Sequence, residues 1–550
     1  MAEKRVFSVG DLCVDVLQDV ASGLEFGEEH ALEGLDFSIG GNAANFAVIS
    51  SDLGIETALV SAIGTDFATP FLKNQLASHR VEPVLLKSEA RNAFSVISVN
   101  RRGERAIQSV KNCLADLNAV KIGKKLLPKV RFGDVVFFGG FYHLTNLRAG
   151  FLPLLKKLKA KGVITCFDTC FDTQGTWDIS RFLPLIDFLF VNDLELKHVS
   201  RGKNMHARAL SLLRRGAGCV VVKRAAEGAT IFRNGFQPVH FPSVADAVVD
   251  TTGAGDAFNA GFVFGLMHSW SLPNCVLSGN FVAAKNVEVH GARAPSVKDL
   301  ERFVSGRNVP ELLIANSHAE LGRRAADVVI ALLKKNPCAS IALPTGETPK
   351  GLYSLLVSAY RKKEVDFSRA TFFALDEYVG LLPGDRNSFS FFLKKHLLDE
   401  IDVEKRNVHL LDGSAKDLRK EVALHEQEIA RFGLDLCILG IGRNGHIAFN
   451  EPGSSEYSIT RVVRLSDQTR KVNGASFLSG FAPARALTVG VGTILHESKH
   501  VLLLASGNSK HLAVRALFEG KDPAKWPASY LRRHKNFTLL VDSQAYRGDS

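Results

Sequence analysis

Short apolar runs alternate with amphipathic stretches along most of the chain. RVFSVG, DVVFFGG, VITCFD, FLFVND and CVVVKR are continuously apolar and end in glycine or polar residues, which is typical of buried parallel strands. FLPLLKKLKAKG and HARALSLLRRGAG are amphipathic, and a glycine stops each of them, as it often stops a helix. This alternation predicts an α/β fold with helices on both faces of a parallel sheet.

One segment breaks the alternation, and another separates two series of it. AFSVISVNRRGERAIQS has two stretches of period-two polarity around NRRG, which predicts a hairpin that projects from the sheet as a flap. The strand and helix patterns restart after about residue 310, behind a polar segment with two prolines. We therefore place a boundary near residues 300–312 and predict two domains, over residues 1–305 and 311–550.

Composition narrows the class of protein. The chain has 550 residues, more than one ordinary core, and its 46% hydrophobic and 23% charged residues are usual for a soluble globular protein. The formal charge of +11 comes without a long basic block, which favours phosphorylated small molecules over nucleic acid as ligands. Scattered cysteines, and the lack of a signal peptide or a long apolar stretch, predict a reduced, cytoplasmic protein that does not span a membrane.

A glycine-rich passage into a helix carries candidate chemistry in the first half. In VVDTTGAGDAF, the small residues Gly253, Ala254 and Gly255 precede a helix that should start near Asp256. Backbone amides and the positive helix start would form an anion hole there for a transferring phosphoryl group. Asp256 would then take the proton from an attacking hydroxyl. Taken alone, the motif fits a plain glycine turn capped by aspartate equally well.

Other polar residues of this half follow predicted strand ends, where α/β sheets bind ligands. Asp11 and Asp15 sit at the end of the first predicted strand, and Asn192 and Glu195 follow a later one. SIGGNAANFAVISSDLG forms a second glycine-rich passage from a strand to a helix. Together these features favour a ligand site over a structural turn.

The first 300 residues resemble the ribokinase-like, or pfkB, family of carbohydrate kinases. GGNAAN, GER, Asn-x-x-Glu, VVK and DTTGAGDAF occur in the order that the family shows. The resemblance implies a ribokinase-like α/β sandwich with a small β lid, and a kinase for a sugar hydroxyl that uses ATP, magnesium and a monovalent cation. The roles it implies are Asp256 as the base, Gly253, Ala254, Gly255 and Lys223 for the nucleotide and anion hole, Asp15, Gly41, Asn42 and Asn45 for the sugar, and Asn192 and Glu195 for magnesium through water. Ala225 stands where the family often has glycine.

Two loops of the second half offer groups to a phosphate. LPTGETPKG passes from a predicted strand to a helix and presents the hydroxyls and amides of Thr345, Gly346 and Thr348. LLLASGNSKHLAV places Lys510 where a helix begins, a good position for a phosphate partner.

Two further strand ends offer proton-transfer groups. FFALDEYVGL ends a strand with Asp376 and Glu377, and GIGRNGHIAFNEPG places His446 and Glu451 behind another. A lone histidine is more often structural, but this one accompanies a phosphate loop and carboxylates. A histidine oriented by a carboxylate can open a sugar ring, and a separate carboxylate can move a proton between C1 and C2. This set predicts aldose–ketose isomerisation, with loss of ammonia if C2 bears an amine.

Residues 311–550 resemble glucosamine-6-phosphate deaminase through LPTGETP, LDEYVGL, GHIAFNEPG and ALTVGVGTIL. A related lactonase family shares the phosphate loop and the GH pair but lacks FNEP. The resemblance implies a Rossmann-like, doubly wound α/β domain. The roles it implies are Asp376 as the base at C2, His446 for ring opening with Glu451 as its orienting group, and Thr345, Gly346, Thr348 and Lys510 for the phosphate.

Three positions depart from the pattern of the deaminase family. Asn444 stands where many members have an aspartate that orients the histidine, and an amide can still hydrogen-bond. Ala475 stands where many members place a phosphate-binding arginine, for which Arg464 or Arg470 are candidate substitutes. Val463 replaces a lysine of the allosteric site, so allosteric control is not expected, although Arg461 and Ser454 remain.

The union of two such halves suggests consecutive steps. A kinase for free glucosamine would supply glucosamine 6-phosphate, which the second half would convert to fructose 6-phosphate and ammonia. Members of the kinase family that act on sugar phosphates tend to have a lysine within this first glycine signature. GGNAAN contains none, so the resemblance favours an unphosphorylated sugar. A kinase that acts on fructose 6-phosphate, or on another sugar or nucleoside, remains an alternative, as does a non-catalytic sugar-phosphate sensor. Sugars and sugar phosphates are the expected partners, and relatives of both halves suggest a homo-oligomer.

Overall fold

The protein is described from a computed structural model. The structure describes residues 4–20, 32–100, 105–170, 172, 175–245, 248–289, 292–305, 310–474, 477 and 480–548. The chain divides into two compact units, one within residues 1–234 and 238–304 and the other within 235–237 and 305–550.

The first unit is built from thirteen described strands and ten described helices. Its strands are β1 Val6–Val9, β2 Cys13–Val20, β3 Leu32–Gly40, β4 Thr57–Ile63, β5 Glu82–Lys87, β6 Ala93–Asn100, β7 Arg105–Val110, β8 Val135–Phe138, β9 Ile164–Asp168, β10 Phe188–Asn192, β11 Cys219–Lys223, β12 Ala229–Arg233 and β13 Val239–Phe241. Its helices are α1 Asn42–Asp52, α2 Ala68–Ser78, α3 Ala119–Leu126, α4 Thr145–Arg148, α5 Phe151–Ala160, α6 Asp193–Val199, α7 Met205–Arg214, α8 Ala254–Met267, α9 Leu272–Val287 and α10 Val297–Ser305.

The main sheet of this unit has the order β13-β12-β11-β10-β9-β8-β1-β4-β5 within the described residues. Its strands are parallel from β11 to β5, and β12 and β13 add an antiparallel edge. Alternate residues of each strand enter different cores: Val136 and Phe138 pack toward α3 and α5, and Val135 and Phe137 toward α8 and α9. Because both faces are buried, the strands are continuously apolar in sequence.

A separate four-stranded sheet, with the order β3-β2-β6-β7, forms the lid of the first unit. β6 and β7 pair in antiparallel fashion, and residues 101–104 between them in sequence lie outside the described residues. β2 runs parallel to β6 and antiparallel to β3. Asp15 lies within β2, opposite Ser38 and Ser95, so its predicted position at the end of the first strand is wrong.

The second unit repeats the same layering around another sheet. Its strands are β14 Glu311–Ala315, β15 Ser340–Leu343, β16 Thr371–Ala374, β17 Asp376–Tyr378, β18 Val408–His409, β19 Leu436–Gly440, β20 Arg461–Arg464, β21 Arg485–Thr488, β22 Val501–Ala505 and β23 Phe537–Asp542. Its helices are α11 His318–Lys335, α12 Lys350–Arg361, α13 Phe389–His396, α14 Leu418–Phe432, α15 Asp467–Val472, α16 Val491–Glu497, α17 His511–Glu519 and α18 Ser543–Arg547.

The seven described strands of its main sheet are all parallel, in the order β14-β23-β22-β19-β15-β16-β18. β17, β21 and β20 form a small antiparallel sheet that continues from the end of β16. Leu436 and Ile438 of β19 pack toward α11 and α12, and Cys437 and Leu439 pack toward α16 and α17. The predicted α/β class with helices on both faces is confirmed for both units. Among the described helices, none combines the length and the apolar character that a bilayer crossing requires.

Candidate active sites

The candidate site residues of the first unit gather at the carboxyl edge of its main sheet. Asp11 follows β1, Asp168 ends β9, Asn192 ends β10 and Lys223 ends β11. These strands are parallel, so their carboxyl ends meet along one edge of the sheet, where α/β folds bind ligands. The N-terminus of α8 reaches the same edge, because the side chain of Lys223 approaches Gly255.

The glycine loop forms the start of α8. Gly253 is the residue before the helix and has φ 73°, a left-handed conformation that glycine adopts without strain. The helix begins at Ala254, and a Cβ on Gly255 would lie 3.3 Å from the Lys223 ammonium nitrogen. The start of α8, with its positive helix end, and a mostly buried ammonium therefore face the same space, which suits a negatively charged group.

Asp256 is buried in the first turn of α8. The side-chain amide of Asn42 donates to one carboxylate oxygen over 3.1 Å, and that of Asn45 donates to the other over 3.2 Å. Burial and then the charge of Asp168 raise the pKa of Asp256 to about 8. A carboxylate so destabilised in its charged form is a strong base for its type.

Asp168 belongs to this site but was missed by sequence reasoning. Its carboxylate accepts hydrogen bonds from the Lys223 ammonium over 2.6 Å and from the Asn259 amide over 2.5 Å. Burial acts to lower the pKa of Lys223, but Asp168 and Glu195 outweigh it, and the pKa is raised. Lys223 is therefore a fixed cation. The sequence marked Asp168 only as a polar residue at the end of an apolar run, in CFDTC.

Asp15 and the first glycine signature meet on the lid side of the site. A Cβ on Gly40 would lie 2.0 Å from the Asp15 carboxyl carbon, so the two groups are in close contact. Asp11 accepts a hydrogen bond from the backbone of Ala43, just after Gly41. Burial is the main cause that raises the pKa of Asp15 to about 6. The structure thus brings Asn42 and Asn45 to Asp256, and it places Asp15 against Gly40 and Asp11 against Gly41 just before α1.

Asn192 and Glu195 form a reciprocal cap on α6. The Asn192 side chain accepts from the Glu195 backbone over 2.8 Å, and the Glu195 carboxylate accepts from the Asn192 backbone over 2.9 Å. The hydroxyl of Thr169 also donates to Glu195. Burial and then Asp168 raise the pKa of Glu195. Among the residues that the structure describes, no cluster of three or more histidine, cysteine, aspartate or glutamate side chains is arranged to hold a metal ion directly.

The second unit also places its candidate residues at the carboxyl edge of its sheet. Four neighbouring strands, β22, β19, β15 and β16, run parallel side by side. Lys510 follows β22, His446 follows β19, Thr345 follows β15 and Asp376 follows β16. The sheet therefore brings together four segments that are up to 165 residues apart in sequence, from Thr345 to Lys510.

Asp376 and its neighbour Glu377 are both buried but have opposite surroundings. Glu377 accepts four hydrogen bonds, from the Tyr378, Phe389 and Ser390 backbones and from the Ser388 hydroxyl, and so anchors the start of α13. One oxygen of Asp376 has no hydrogen-bond partner within the described part of the chain. Burial and then Glu377 raise the pKa of Asp376 to about 8. Asp376 is thus the carboxylate that can accept a proton from a ligand.

His446 is held by Asn444 rather than by Glu451. The Asn444 side-chain oxygen accepts from the His446 backbone over 3.3 Å and lies 2.7 Å from its Nδ1. Glu451 instead accepts from the backbone and hydroxyl of Ser466 and from the Thr469 hydroxyl. Within the described residues Glu451 makes no hydrogen bond to His446, so the prediction that it directly orients the ring is wrong; its negative charge acts to raise the pKa of the ring. Burial and then Lys510 lower the pKa of His446 to about 4, so the ring is neutral near pH 7.

The residues predicted to bind phosphate lie in the loops on either side of the one that carries this histidine. Thr345, Gly346 and Thr348 lie in the loop between β15 and α12, and a Cβ on Gly346 would meet no atom within 4 Å. Lys510 is the residue before α17, and burial and then Arg443 lower its pKa. Open space, hydroxyls and a desolvated ammonium are what a phosphate site requires.

The structure shows the surroundings of several residues at or near the positions where the chain departs from the deaminase family. Ala475 lies outside the described residues. Arg470 donates to the Ala482 carbonyl and pairs with Asp467, and Arg464 is exposed on β20. Arg461 donates to the side chains of Asn450 and Ser454.

Comparison with known proteins finds a family for each half of the chain. The family model for pfkB family carbohydrate kinases matches residues 3–299, and the model for glucosamine-6-phosphate isomerases/6-phosphogluconolactonase matches residues 315–540. A glucosamine-6-phosphate deaminase of Bacillus velezensis is 40% identical over 240 residues, which cover 43% of this chain and 99% of that protein.

Two solved structures are similar to the separate halves. A monomeric glucosamine-6-phosphate deaminase is 41% identical and covers 42% of this chain and 98% of its own, with a TM-score of 0.42. The ribokinase of Thermotoga maritima is 22% identical and covers 55% of this chain and 99% of its own, with a TM-score of 0.48.

The two sheets and their two carboxyl-edge sites define an α/β enzyme with two separate centres. The chain belongs to the pfkB family of carbohydrate kinases through its first half and to the glucosamine-6-phosphate deaminase family through its second. The ribokinase-like and Rossmann-like folds expected from the sequence are confirmed.

Proposed function

We propose that the chain phosphorylates glucosamine with ATP and then deaminates the resulting glucosamine 6-phosphate to fructose 6-phosphate and ammonia. One observation carries this proposal: each unit holds a buried aspartate at the carboxyl edge of its sheet, Asp256 in the half that matches the kinase family and Asp376 in the half that matches the deaminase family. We assign the two activities to domains over residues 1–305 and 311–550.

In the first domain, Asp256 takes the proton of the attacking sugar hydroxyl. The anion hole formed by Gly253, Ala254 and Gly255, together with the Lys223 ammonium, stabilises the charge that develops on the transferring phosphoryl group. Asp15, Gly41, Asn42 and Asn45 hold the sugar, and the amides of Asn42 and Asn45 also keep the Asp256 carboxylate in place.

The residues present fit a bound nucleotide with magnesium. The helix start and the Lys223 ammonium suit its phosphates, and Asn192 and Glu195 would bind the ion through water. Magnesium, when bound, supplies charge neutralisation for the phosphates. Asp168 positions Lys223 through the 2.6 Å ion pair.

In the second domain, His446 opens the sugar ring. The Asn444 oxygen accepts from the His446 backbone as well as from Nδ1–H, which leaves Nε2 as the base. Nε2 takes the proton of the C1 hydroxyl and delivers it to the ring oxygen. Because its pKa is lowered to about 4, the ring is neutral near pH 7, which leaves Nε2 unprotonated to receive the proton and quick to return it.

Asp376 then moves the proton of the open chain. Its carboxylate removes the proton from C2 and returns it to C1, which gives the enolamine and then the iminium of the ketose. Water adds at C2 and ammonia leaves. Thr345, Gly346, Thr348 and Lys510 hold the phosphate and so fix C1 and C2 against Asp376.

The acidic surroundings of the kinase sugar site support an amino sugar. Asp11 and Asp15 are buried carboxylates on its lid side, and the charge of Asp11 acts to raise the pKa of Asp15, so an ammonium group at C2 of the sugar would relieve their repulsion. Lys111 favours the alternative substrate, fructose 6-phosphate, because its charge acts on both Asp11 and Asp15. ADP formation measured with a panel of phosphorylated and free sugars distinguishes these two substrates.

Ammonia release from glucosamine 6-phosphate tests the second activity without ATP. We expect the purified full chain to release one ammonia for each fructose 6-phosphate formed. Binding of glucosamine 6-phosphate without release would contradict the deaminase assignment and would favour a sensor.

Replacement of Asn444 by leucine tests the ring-opening role of His446. We expect the variant to lose about 10- to 100-fold in kcat with glucosamine 6-phosphate, because the histidine loses the bond that fixes its tautomer. The 5-O-methyl analogue cannot close the pyranose ring, so its deamination rate should change little. Asn444→Asp restores the acceptor and should restore most of the rate. Equal slowing of both substrates by Asn444→Leu would contradict ring opening.

A further inference from the structure

Two cations lie close together at the carboxyl edge of the second unit. Lys510 precedes α17, and Arg443 lies in the turn that follows β19. β19 and β22 are parallel neighbours with Gly440 opposite Leu504, so their loops leave the sheet at adjacent points. Within the described residues, neither Arg443 nor Lys510 has a hydrogen bond or ion pair from its side chain.

Hydrogen bonds fix the backbone that carries Arg443. Gly442 donates to the His446 carbonyl over 2.9 Å, and Gly445 donates to the Gly442 carbonyl over 3.0 Å. The Gly445 carbonyl in turn accepts from Ala528. A Cβ on Gly442 would lie 2.2 Å from the His446 ring, so only glycine allows the imidazole to approach this closely. Arg443 is therefore presented from a rigid turn, although its side chain is exposed.

The charges around this turn are unbalanced. Arg443 is the cation that helps to lower the pKa of Lys510, and Lys510 in turn helps to lower the pKa of His446. Two like charges that repel each other in this way are stabilised when an anion binds between them. The neighbouring loop after β15 leaves open space at Gly346, where such an anion has room.

We propose that Arg443 is a second cation of the phosphate site and binds the same phosphate as Lys510. This inference rests on the proposed deaminase function, and the phosphate is that of a 6-phosphorylated amino sugar. A guanidinium binds two phosphate oxygens at once, whereas an ammonium acts as a point charge, so the pair fixes the orientation of the phosphate as well as its position. Arg470 is bound within its own segment and does not compete for this role.

The test is steady-state kinetics of Arg443→Ala in the full chain. We expect KM for glucosamine 6-phosphate to rise by about tenfold or more while kcat stays within about threefold, because a phosphate contact holds substrate and transition state alike. Arg443→Lys keeps the charge but loses the bidentate contact, so its KM should fall between those of the wild type and Arg443→Ala. Arg369→Ala is the matched control: Arg369 is an exposed arginine just before β16, at the opposite edge of the same sheet, and its loss should leave KM unchanged.

Calorimetric titration with inorganic phosphate and with glucitol 6-phosphate separates this inference from the proposed function. We expect both anions to bind at least about tenfold more weakly to Arg443→Ala than to Arg369→Ala, and other anion sites of the chain contribute equally to the two. That result in a protein that releases no ammonia would sink the deaminase function and still support the cation pair. Unchanged KM and unchanged anion binding, or a loss of kcat alone, would overturn the pair.

Discussion

Replacement of Asp256 by alanine is expected to lower the kinase turnover number by about a thousandfold, while nucleotide affinity stays within about threefold of the wild type. Asp256 is the buried carboxylate at the start of α8, held between the amides of Asn42 and Asn45. Without it, no base takes the proton of the sugar hydroxyl, but the amides of the anion hole remain. ADP formation with glucosamine measures the first quantity, and nucleotide titration of the full chain measures the second.

An exposed aspartate of the same unit provides the control. Asp299 lies on α10 and pairs with its neighbours Ser296 and Arg302, so Asp299→Ala should keep the wild-type rate. Ammonia release from glucosamine 6-phosphate should also be unchanged in Asp256→Ala. A wild-type kinase rate in that variant would refute the role of Asp256 as the base.

Replacement of Asp376 by asparagine is expected to slow ammonia release by about a thousandfold and to stabilise the second unit at alkaline pH. The pKa of this carboxyl is about 8 when folded and near 3.8 when unfolded. Between those values the folded protein holds the proton and the unfolded chain does not, so the free energy of unfolding decreases as pH rises from about 4 to about 8. Asparagine does not ionise and so removes this loss. We expect the free energy of unfolding of Asp376→Asn to exceed that of the wild type by more than about 1 kcal/mol at about pH 9, and by less at about pH 5.

The adjacent carboxylate gives a matched contrast. Glu377 accepts four hydrogen bonds, so Glu377→Gln should lower the free energy of unfolding by about 1–3 kcal/mol. Thermal unfolding of the full chain at the two pH values measures both effects, and the transition that these variants shift identifies the second unit. An Asp376→Asn variant that lost both activity and alkaline stability would indicate a structural carboxylate instead of a catalytic one.

The α/β class could be read from the sequence because both faces of the central strands are buried. VVFF of β8 and CVVVK of β11 are apolar at successive positions, since alternate side chains enter different cores. The site loops could be located for a related reason: polar and glycine residues that follow such runs mark strand ends. The path of the chain between strands was harder to predict. Asp15 was placed at the end of the first strand, but β1 ends at Val9 and the chain enters the lid strand β2 only four residues later.

Contacts between distant segments could not be predicted from local patterns. Asp168 and Lys223 pair across 55 residues because β9 and β11 flank β10 in the sheet, an order that the sequence does not state. His446 shows the same limit at short range. Glu451 and Asn444 lie on either side of it, and only the closed turn shows that Asn444 reaches the ring while Glu451 binds Ser466 and Thr469.

The most direct test supplies ATP, magnesium and one sugar at a time to the purified full chain and follows ADP and ammonia together. Glucosamine, N-acetylglucosamine, fructose and fructose 6-phosphate form the panel. We predict that glucosamine yields ADP first and then an equal amount of ammonia, and that the Asp376→Asn variant stops after ADP with glucosamine 6-phosphate accumulated. ADP formation with fructose 6-phosphate but not with glucosamine would contradict consecutive processing of one amino sugar by the two sites.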